Sequence, residues 1–167
     1  MLSQREEHLI RNMRDILRER FELFDENHKV DAKEMHENKL WVGYSISGFN
    51  FTERVNYFDL NIIGDICYLL HIELEKKFRG KGYGRQIYSC VEEFARRERC
   101  SRVRMMPSGT TFSGETRRDY MHKLGYTDIK PDGEVEKLFN NVHSDASKKQ
   151  CATQHFSVGF DWHLFFG

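Results

Sequence analysis

A glycine-rich loop between a strand-like run and an amphipathic helix constrains this chain more than any other feature. Residues 66–74 form the most apolar run, and Arg79-Gly-Lys-Gly-Tyr-Gly84 follows it closely. Beyond the loop, apolar residues recur at three- and four-residue spacing, which predicts a helix. The first amides of a helix lack partners within it, and glycines let the backbone approach a phosphate closely. The arrangement predicts a phosphate-binding loop, with positive charge from Arg79, Lys81 and Arg85.

The loop does not fit two other nucleotide-binding motifs. No Gly-Lys-Ser/Thr closes it, as a Walker loop requires. Its glycines at positions 80, 82 and 84 do not follow the G-x-G-x-x-G spacing of dinucleotide-binding folds. A turn that only connects a strand to a helix stays open as the structural alternative.

The remaining segments predict a mixture of helices and strands in one domain over residues 1–167. Helices are predicted at 4–24, from 83 to about 99, and at 116–124 with Ser113 as cap and Gly125 as stop. Strands are predicted at 40–51, 54–63, 66–74, 102–106, 126–130, 135–139 and 155–166. The polar segments 25–39 and 140–154 are predicted as loops, the first with one short helical turn. Short links between the strands from 40 to 74 favour antiparallel neighbours.

Composition and charge indicate which partners, which cellular compartment and which bound metals to expect for this protein. The chain has 26 basic and 26 acidic residues, so bulk electrostatics favours neither nucleic acid nor an anionic membrane as partner. None of the four cysteines stands in a CxxC pair, which fits free thiols rather than disulfides. The N-terminus shows no apolar signal region, and no run is long enough to span a membrane, so we expect a cytoplasmic protein. We expect no metal, because His143, His155 and His163 lack ligand spacing.

Two motifs together resemble a known family. The run Ile72-Glu-Leu74, then Glu75-Lys-Lys-Phe78 and the glycine-rich loop, is similar to the acetyl-CoA motif Gln/Arg-x-x-Gly-x-Gly/Ala of GNAT N-acetyltransferases. Tyr120-Met-His-Lys-Leu-Gly-Tyr126 resembles the Phe-Tyr-x-x-Leu-Gly-Phe ending of a later helix in that family. The resemblance runs from about residue 40 to 139, with a divergent extension from about 140. It implies an α/β fold of the α+β type: a mixed, mostly antiparallel sheet, helices on both faces, and a splayed parallel strand pair.

The resemblance also implies an acetyl-CoA site. Backbone groups of Ile72 and Leu74 are expected to pair with the pantetheine arm like an added strand. The residues expected to hold the pyrophosphate are Arg79, Gly80, Lys81, Gly82, Tyr83, Gly84 and Arg85. The strands at 66–74 and 102–106 are expected to diverge around the thioester, with Arg117 and Arg118 near the gap.

The catalytic positions of the family match less closely. In the family, a Glu or His that deprotonates the amine often stands four residues before the first pantetheine-pairing residue. That position here is Tyr68, which is a weak base at neutral pH. Alternatively, Tyr68 lines the acceptor pocket. Period-two alternation places Glu73 on the other face of the strand, and Asp65 is an outside candidate. The proton-donating Tyr of the family falls on Met121, one residue from Tyr120. Tyr120 either donates the proton or packs in the core.

The function implied by the resemblance is acetyl transfer from acetyl-CoA to a primary amine. Candidate acceptors run from small amines and aminoglycoside-like sugars to protein N-termini, lysine side chains and charged tRNA. The missing base and the displaced tyrosine leave an alternative open: a GNAT-fold regulatory or interaction module that binds acetyl-CoA with little or no catalysis. No membrane or nucleic-acid partner is expected, and a homodimer stays open.

Overall fold

The structure is a computed structural model that describes residues 1–45, 57–129 and 133–140. Its helices are α1 (Gln4–Arg20), α2 (Tyr83–Arg97) and α3 (Arg117–Lys123). Its strands are β1 (Lys29–Met35), β2 (Lys39–Ser45), β3 (Tyr57–Ile63), β4 (Ile66–Glu73), β5 (Arg102–Met105), β6 (Thr127–Asp128) and β7 (Val135–Leu138). Short 3-10 turns at His36–Asn38 and Lys76–Phe78 precede β2 and the glycine-rich loop.

The strands form one sheet in the order β1-β2-β3-β4-β5-β7-β6. β4 and β5 run parallel, and every other neighbouring pair among the described strands runs antiparallel. α2 connects β4 to β5 and so supplies the crossover that a parallel pair needs. The predicted mixed, mostly antiparallel sheet with a parallel pair is confirmed.

The core lies between the sheet and the two long helices, which pack against each other. α1 begins at a capping box: the Ser3 hydroxyl accepts from the Glu6 amide at 3.1 Å, and the Glu6 carboxylate accepts from the Ser3 amide at 2.8 Å. The inward side of α1 carries Leu9, Met13, Ile16 and Leu17, which are fully buried. They share one core cluster with residues of α2, such as Val91 and Phe94, and of the sheet, such as Val42, Leu60 and Val103.

The segment 25–39, predicted as a loop with a helical turn, contains the edge strand β1 at its centre. Val30 and Ala32 are its only buried residues, each 6% exposed, and the other positions are exposed. Two small apolar residues among charged ones leave almost no alternation in the sequence, so the strand is specified by its pairing with β2. A short 3-10 turn stands at His36–Asn38, but Glu37 and Asn38 have left-handed φ values of +61° and +58°, so it is not a regular helical turn.

The N-cap of α3 is Thr116, three residues later than the predicted cap Ser113. The Thr116 hydroxyl accepts from the Asp119 amide at 3.1 Å and caps the helix, whereas the Ser113 hydroxyl contacts that of Thr111 at 2.9 Å inside the preceding loop. The helix stops as predicted at Gly125, which has a φ of +90°. The shift places Arg117 in the first turn of α3.

Several expectations lie wholly or partly outside the described residues. They are the ends of the predicted strands at 46–51 and 54–56, the turn around 131–133, the extension from about 140, and the strand at 155–166. Cys67, Cys90 and Cys100 are buried free thiols, while Cys151 lies outside this part of the chain. No helix within the described ranges is long and apolar enough to cross a membrane.

Candidate functional site

β4 and β5 are no longer paired beyond the end of their parallel ladder. The last pair joins Leu69 to Met105, where β5 ends, while β4 continues to Glu73. Ile72 and Leu74 therefore lie beyond the ladder, where an extended ligand can take the place of a strand.

A β-bulge at Leu70 changes which side chains of β4 share a face. Asp59 pairs with His71 and Leu60 pairs with Leu69, so Leu70 is the extra residue opposite β3. The bulge shifts the alternation by one position, and Glu73 consequently lies on the same face of β4 as Tyr68. The prediction that Glu73 points to the other face is wrong, because period-two alternation holds only in an unbulged strand.

The glycine-rich loop leads into an uncapped helix start. Gly80 and Gly82 have φ values of +72° and +86°, a region that favours glycine. Gly82 is the N-cap of α2 and makes no side-chain cap, and no acidic residue stands in the first turn. The first-turn amides thus keep their hydrogen-bonding capacity, and Arg85 adds a positive charge. This end of α2 is suited to an anion such as a phosphate.

The glycines of this loop differ in what a side chain would meet. A Cβ on Gly82 would have nothing within 4 Å, so this position needs glycine for its backbone conformation. A Cβ on Gly84 would make ordinary contact with Leu74 Cδ1 at 3.6 Å. A Cβ on Gly80 would lie only 2.8 Å from Phe112 Cδ1, so Gly80 also permits the close approach of that ring.

A cleft of about 690 Å³ opens between the end of β4, the glycine-rich loop and the start of α3. Most residues predicted to bind the cofactor line it: Ile72, Leu74, Arg79, Gly80, Gly82, Gly84 and Arg85. The rest of the lining is Glu73, Tyr88, Thr110, Thr111, Phe112, Ser113, Glu115, Arg117 and Tyr120. Many of this second set come from the loop between β5 and α3, which carries no motif from which its path could be predicted.

The other two residues predicted for the cofactor, Lys81 and Tyr83, do not line this cleft. Lys81 is exposed. The ring of Tyr83 packs edge-on against Phe21 and Phe78, with centroids 6.5 and 5.9 Å away. Tyr83 is the first residue of α2, so its contribution to an anion site would come from its amide rather than its side chain.

Tyr120 faces the cleft, and its neighbour Met121 is fully buried in the core. The Tyr120 ring lies 6.2 Å from that of Tyr88, centroid to centroid. Burial raises the pKa of Tyr120 above its usual 10.0, and the nearby cations Arg85 and Arg117 oppose that shift. The phenol is therefore protonated at neutral pH and has a proton to donate.

Tyr68 does not line the cleft. It is half-buried in the sheet and pairs with Asn61 of β3 and Arg104 of β5. The Nε atom of Arg104 donates to Glu136 at 2.9 Å. The structure thus separates the two predicted catalytic tyrosines, with Tyr120 beside the glycine-rich loop and Tyr68 in a polar row across the strands.

The adjacent arginines at the start of α3 also separate. Arg117 and Tyr88 both line the cleft; burial raises the pKa of Tyr88, and the charge of Arg117 opposes that shift. Arg118 is held outside the lining by Asp128, at 2.6 Å, and by the carbonyl of Gly133. No three His, Cys, Asp or Glu side chains gather as a metal site within the part of the chain that the structure describes.

Comparisons with known proteins agree with this architecture. The model of the Acetyltransferase (GNAT) family matches residues 10–126. No curated protein sequence is significantly similar to the chain.

Three solved structures with a similar fold are each less than 20% identical to this chain. The PaiA N-acetyltransferase from Thermoplasma acidophilum, solved in complex with coenzyme A, is 19% identical over 60% of this chain and 61% of its own, with a TM-score of 0.45. This chain thus spans less than two thirds of that protein. An acetyltransferase from Bacillus cereus ATCC 14579 is 14% identical over 83% of this chain and 95% of its own, with a TM-score of 0.47. A GNAT-family acetyltransferase from Staphylococcus aureus Mu50 is 13% identical over 83% and 95%, with a TM-score of 0.43.

The family match covers well over half of the sequence. It includes the sheet up to β5, the glycine-rich loop, α2 and α3. The chain therefore belongs to the GNAT acetyltransferase family.

Proposed function

We propose that this protein is an acetyl-CoA-dependent N-acetyltransferase that acts on a primary amine. One observation carries the proposal: a phenol with a proton to donate, Tyr120, lines the same cleft as the uncapped, glycine-lined start of α2. A cleft that only bound an anion would not need an acid beside it.

The residues of the cleft fit acetyl-CoA in both chemistry and order. The backbone at Ile72 and Leu74 continues past the β4–β5 ladder and suits the amides of a pantetheine arm. The amides at the start of α2, with Arg85, suit the pyrophosphate. Bound acetyl-CoA supplies an acetyl group activated as a thioester.

The transfer requires two proton movements. A C–N bond forms between the amine and the acetyl carbon, and the C–S bond breaks, so the nitrogen must lose a proton and the leaving thiolate must gain one. Tyr120 is the proposed donor to the thiolate. Glu73 lines the cleft and is the carboxylate on β4 best placed to receive the proton of the amine, with Tyr68 as the alternative acceptor on the same face.

A binding module without catalysis is the second candidate function. It is favoured by Tyr68, a weak base that occupies the position where a Glu or His is usual in the family. In this reading the cleft holds acetyl-CoA and Tyr120 only packs against Tyr88. The two candidates share a binding site and differ in turnover.

The binding step is tested by calorimetric titration of acetyl-CoA into wild type, Gly82→Asp and Gly64→Asp. Both glycines have positive φ, +86° and +60°, and at neither would a Cβ meet an atom within 4 Å. The two substitutions therefore impose similar backbone strain, but only the first places a carboxylate at the start of α2. We expect binding to be lost in Gly82→Asp and retained in Gly64→Asp, and absence of binding in wild type would reject both candidate functions.

The catalytic step is tested by release of free thiol from acetyl-CoA in the presence of a panel of primary amines. Turnover with any amine that falls in Tyr120→Phe supports the enzyme. Tight binding with no thiol release across small amines, peptides and amino sugars would favour the binding module.

We also place the protein in the cytoplasm. Cys67, Cys90 and Cys100 are buried as free thiols, which suits a reducing compartment. Burial raises the pKa of the Cys90 and Cys100 thiols to about 12, so these thiols are unreactive.

A further inference from the structure

Phe112 is an exposed aromatic residue on the rim of the cleft. Its exposure is 76%, and no other phenylalanine stands among the exposed large apolar residues of the described ranges. A phenyl ring that stays exposed to water contributes little hydrophobic stabilisation to the folded protein. Its position beside the glycine-rich loop therefore points to a ligand rather than to the core.

The loop around Phe112 is internally bonded. The Gly114 amide donates to the Thr111 carbonyl at 3.1 Å, which closes a tight turn with Phe112 and Ser113 at its centre. The Thr111 amide donates to the Glu115 carbonyl at 2.9 Å. This turn presents the ring outward from a defined backbone.

One edge of the ring rests on the glycine-rich loop. The Cδ1 and Cε1 atoms lie 2.8 and 3.1 Å from where a Cβ on Gly80 would stand, and Cγ lies 3.6 Å away. Because only one edge of the ring lies against Gly80 and the residue is largely exposed, the faces of the ring are accessible. An accessible aromatic face is the surface on which a nucleobase stacks.

The charges around the ring suit a nucleotide. Arg85 and Arg117 line the same cleft, and Glu115, the acidic residue of this loop that lines it, is neutralised by an ion pair with Lys123. A flat base attached to phosphates combines the two properties that this rim can bind: a stacking face and negative charge.

We propose that Phe112 binds the adenine ring of CoA by stacking and thereby makes the site selective for acyl carriers that bear the nucleotide. The inference rests on the proposed function, because the start of α2 must hold the pyrophosphate for the adenine to reach Phe112. Selectivity of this kind would favour free acyl-CoA over an acyl group on phosphopantetheine alone.

The test compares CoA with 4′-phosphopantetheine, which lacks the 3′-phosphoadenosine and one phosphate of the pyrophosphate, by calorimetric titration into wild type, Phe112→Ala and Phe112→Trp. We expect Phe112→Ala to weaken CoA binding about tenfold and to leave 4′-phosphopantetheine binding unchanged. Phe112→Trp, which keeps a stacking face, should bind CoA at least as tightly as wild type. Ile63→Ala, which truncates another exposed apolar side chain at the far end of β3, is the matched control.

Two results would overturn this proposal while leaving the proposed function intact. One is an unchanged affinity for CoA in Phe112→Ala, and the other is an equal loss for both ligands, which would indicate a structural role for the ring. If wild type binds neither ligand, the proposed function itself is rejected and the stacking role with it.

Discussion

The Nε atom of Arg79 donates a hydrogen bond to the carbonyl oxygen of Leu74 at 2.7 Å. The bond joins the first residue of the glycine-rich loop to the end of β4. The amides of Phe78 and Arg79 donate to the carbonyls of Glu75 and Lys76, at 2.9 and 3.2 Å, so the intervening chain is a compact turn. Arg79 thereby fixes the spacing between the two parts of the cleft that we assign to the pantetheine arm and the pyrophosphate.

Replacement of Arg79 should weaken acetyl-CoA binding through this spacing. A hydrogen bond of this kind contributes on the order of 0.5–1.5 kcal/mol, so we expect Arg79→Ala to raise the Kd roughly two- to tenfold. Lys77→Ala removes a neighbouring cation that is paired with Glu75 at 2.8 Å and should have no such effect. Equal losses in the two variants, measured by calorimetric titration, would show that only net positive charge matters.

Replacement of Tyr120 should separate catalysis from binding. Tyr120→Phe keeps the ring contact with Tyr88 and removes only the hydroxyl, so acetyl-CoA affinity should hold while kcat falls about 10²-fold or more. Because burial raises the pKa of this phenol above 10.0, its loss of the proton should not limit kcat near neutral pH. A kcat in Tyr120→Phe equal to that of wild type would remove Tyr120 from the reaction.

The parts of this site that we assign to binding through the backbone could be predicted from sequence, and those that depend on a local irregularity could not. The glycines at 80 and 82 mark the loop because positive φ and an uncapped helix start require particular residue types. The bulge at Leu70 has no such marker, so alternation misplaces Glu73. The loop that carries Phe112 is polar and irregular, and its contact with Gly80 is set by the tertiary fold. β1 also has no marker in the sequence, because its pairing with β2 specifies it.

His28 should make the protein less stable in mild acid. Its Nδ1 atom lies 3.1 Å from the Asp25 amide and 2.7 Å from the Tyr44 hydroxyl. An amide can only donate, so Nδ1 is an acceptor and the imidazole is neutral. Burial lowers the pKa of His28 below 6.5; nearby Asp25 opposes this shift and Arg14 adds to it.

The sign of the effect follows from the lowered pKa. The stability that neutral His28 contributes is present above the unfolded pKa of about 6.5 and is lost as the pH falls through the folded pKa. We expect the melting temperature to drop between pH 7.5 and pH 5, and His28→Gln to be less stable at pH 7.5 with a flatter profile. His36→Gln, at an exposed histidine, should keep the wild-type profile. A profile in His28→Gln as steep as that of wild type would assign the titration to other groups.

Glu92 should be important for stability because it is a buried carboxylate with three partners, one of them Arg96 at 3.7 Å. It is 8% exposed, accepts from the Tyr126 hydroxyl at 3.1 Å and pairs with Lys137 Nζ at 3.0 Å. Glu92→Leu leaves the ammonium and the hydroxyl without this acceptor, and we expect a loss of roughly 3 kcal/mol in the free energy of unfolding by urea. The double variant Glu92→Leu/Lys137→Met should be more stable than Glu92→Leu alone. If it is less stable, the pairing of charges is not what makes Glu92 important.

Gly80 and Gly82 provide a test of whether the Phe112 ring is anchored. Alanine at either position must adopt a positive φ, at a cost of roughly 1–2 kcal/mol in each case. Only at Gly80 would the new methyl also meet the ring, at 2.8 Å, whereas the space at Gly82 is open. We therefore expect Gly80→Ala to lower the free energy of unfolding more than Gly82→Ala, and Phe112→Ala to abolish that difference when combined with each. A similar loss in both single variants would mean that the ring moves aside freely, which would leave no anchored surface on which a base could stack.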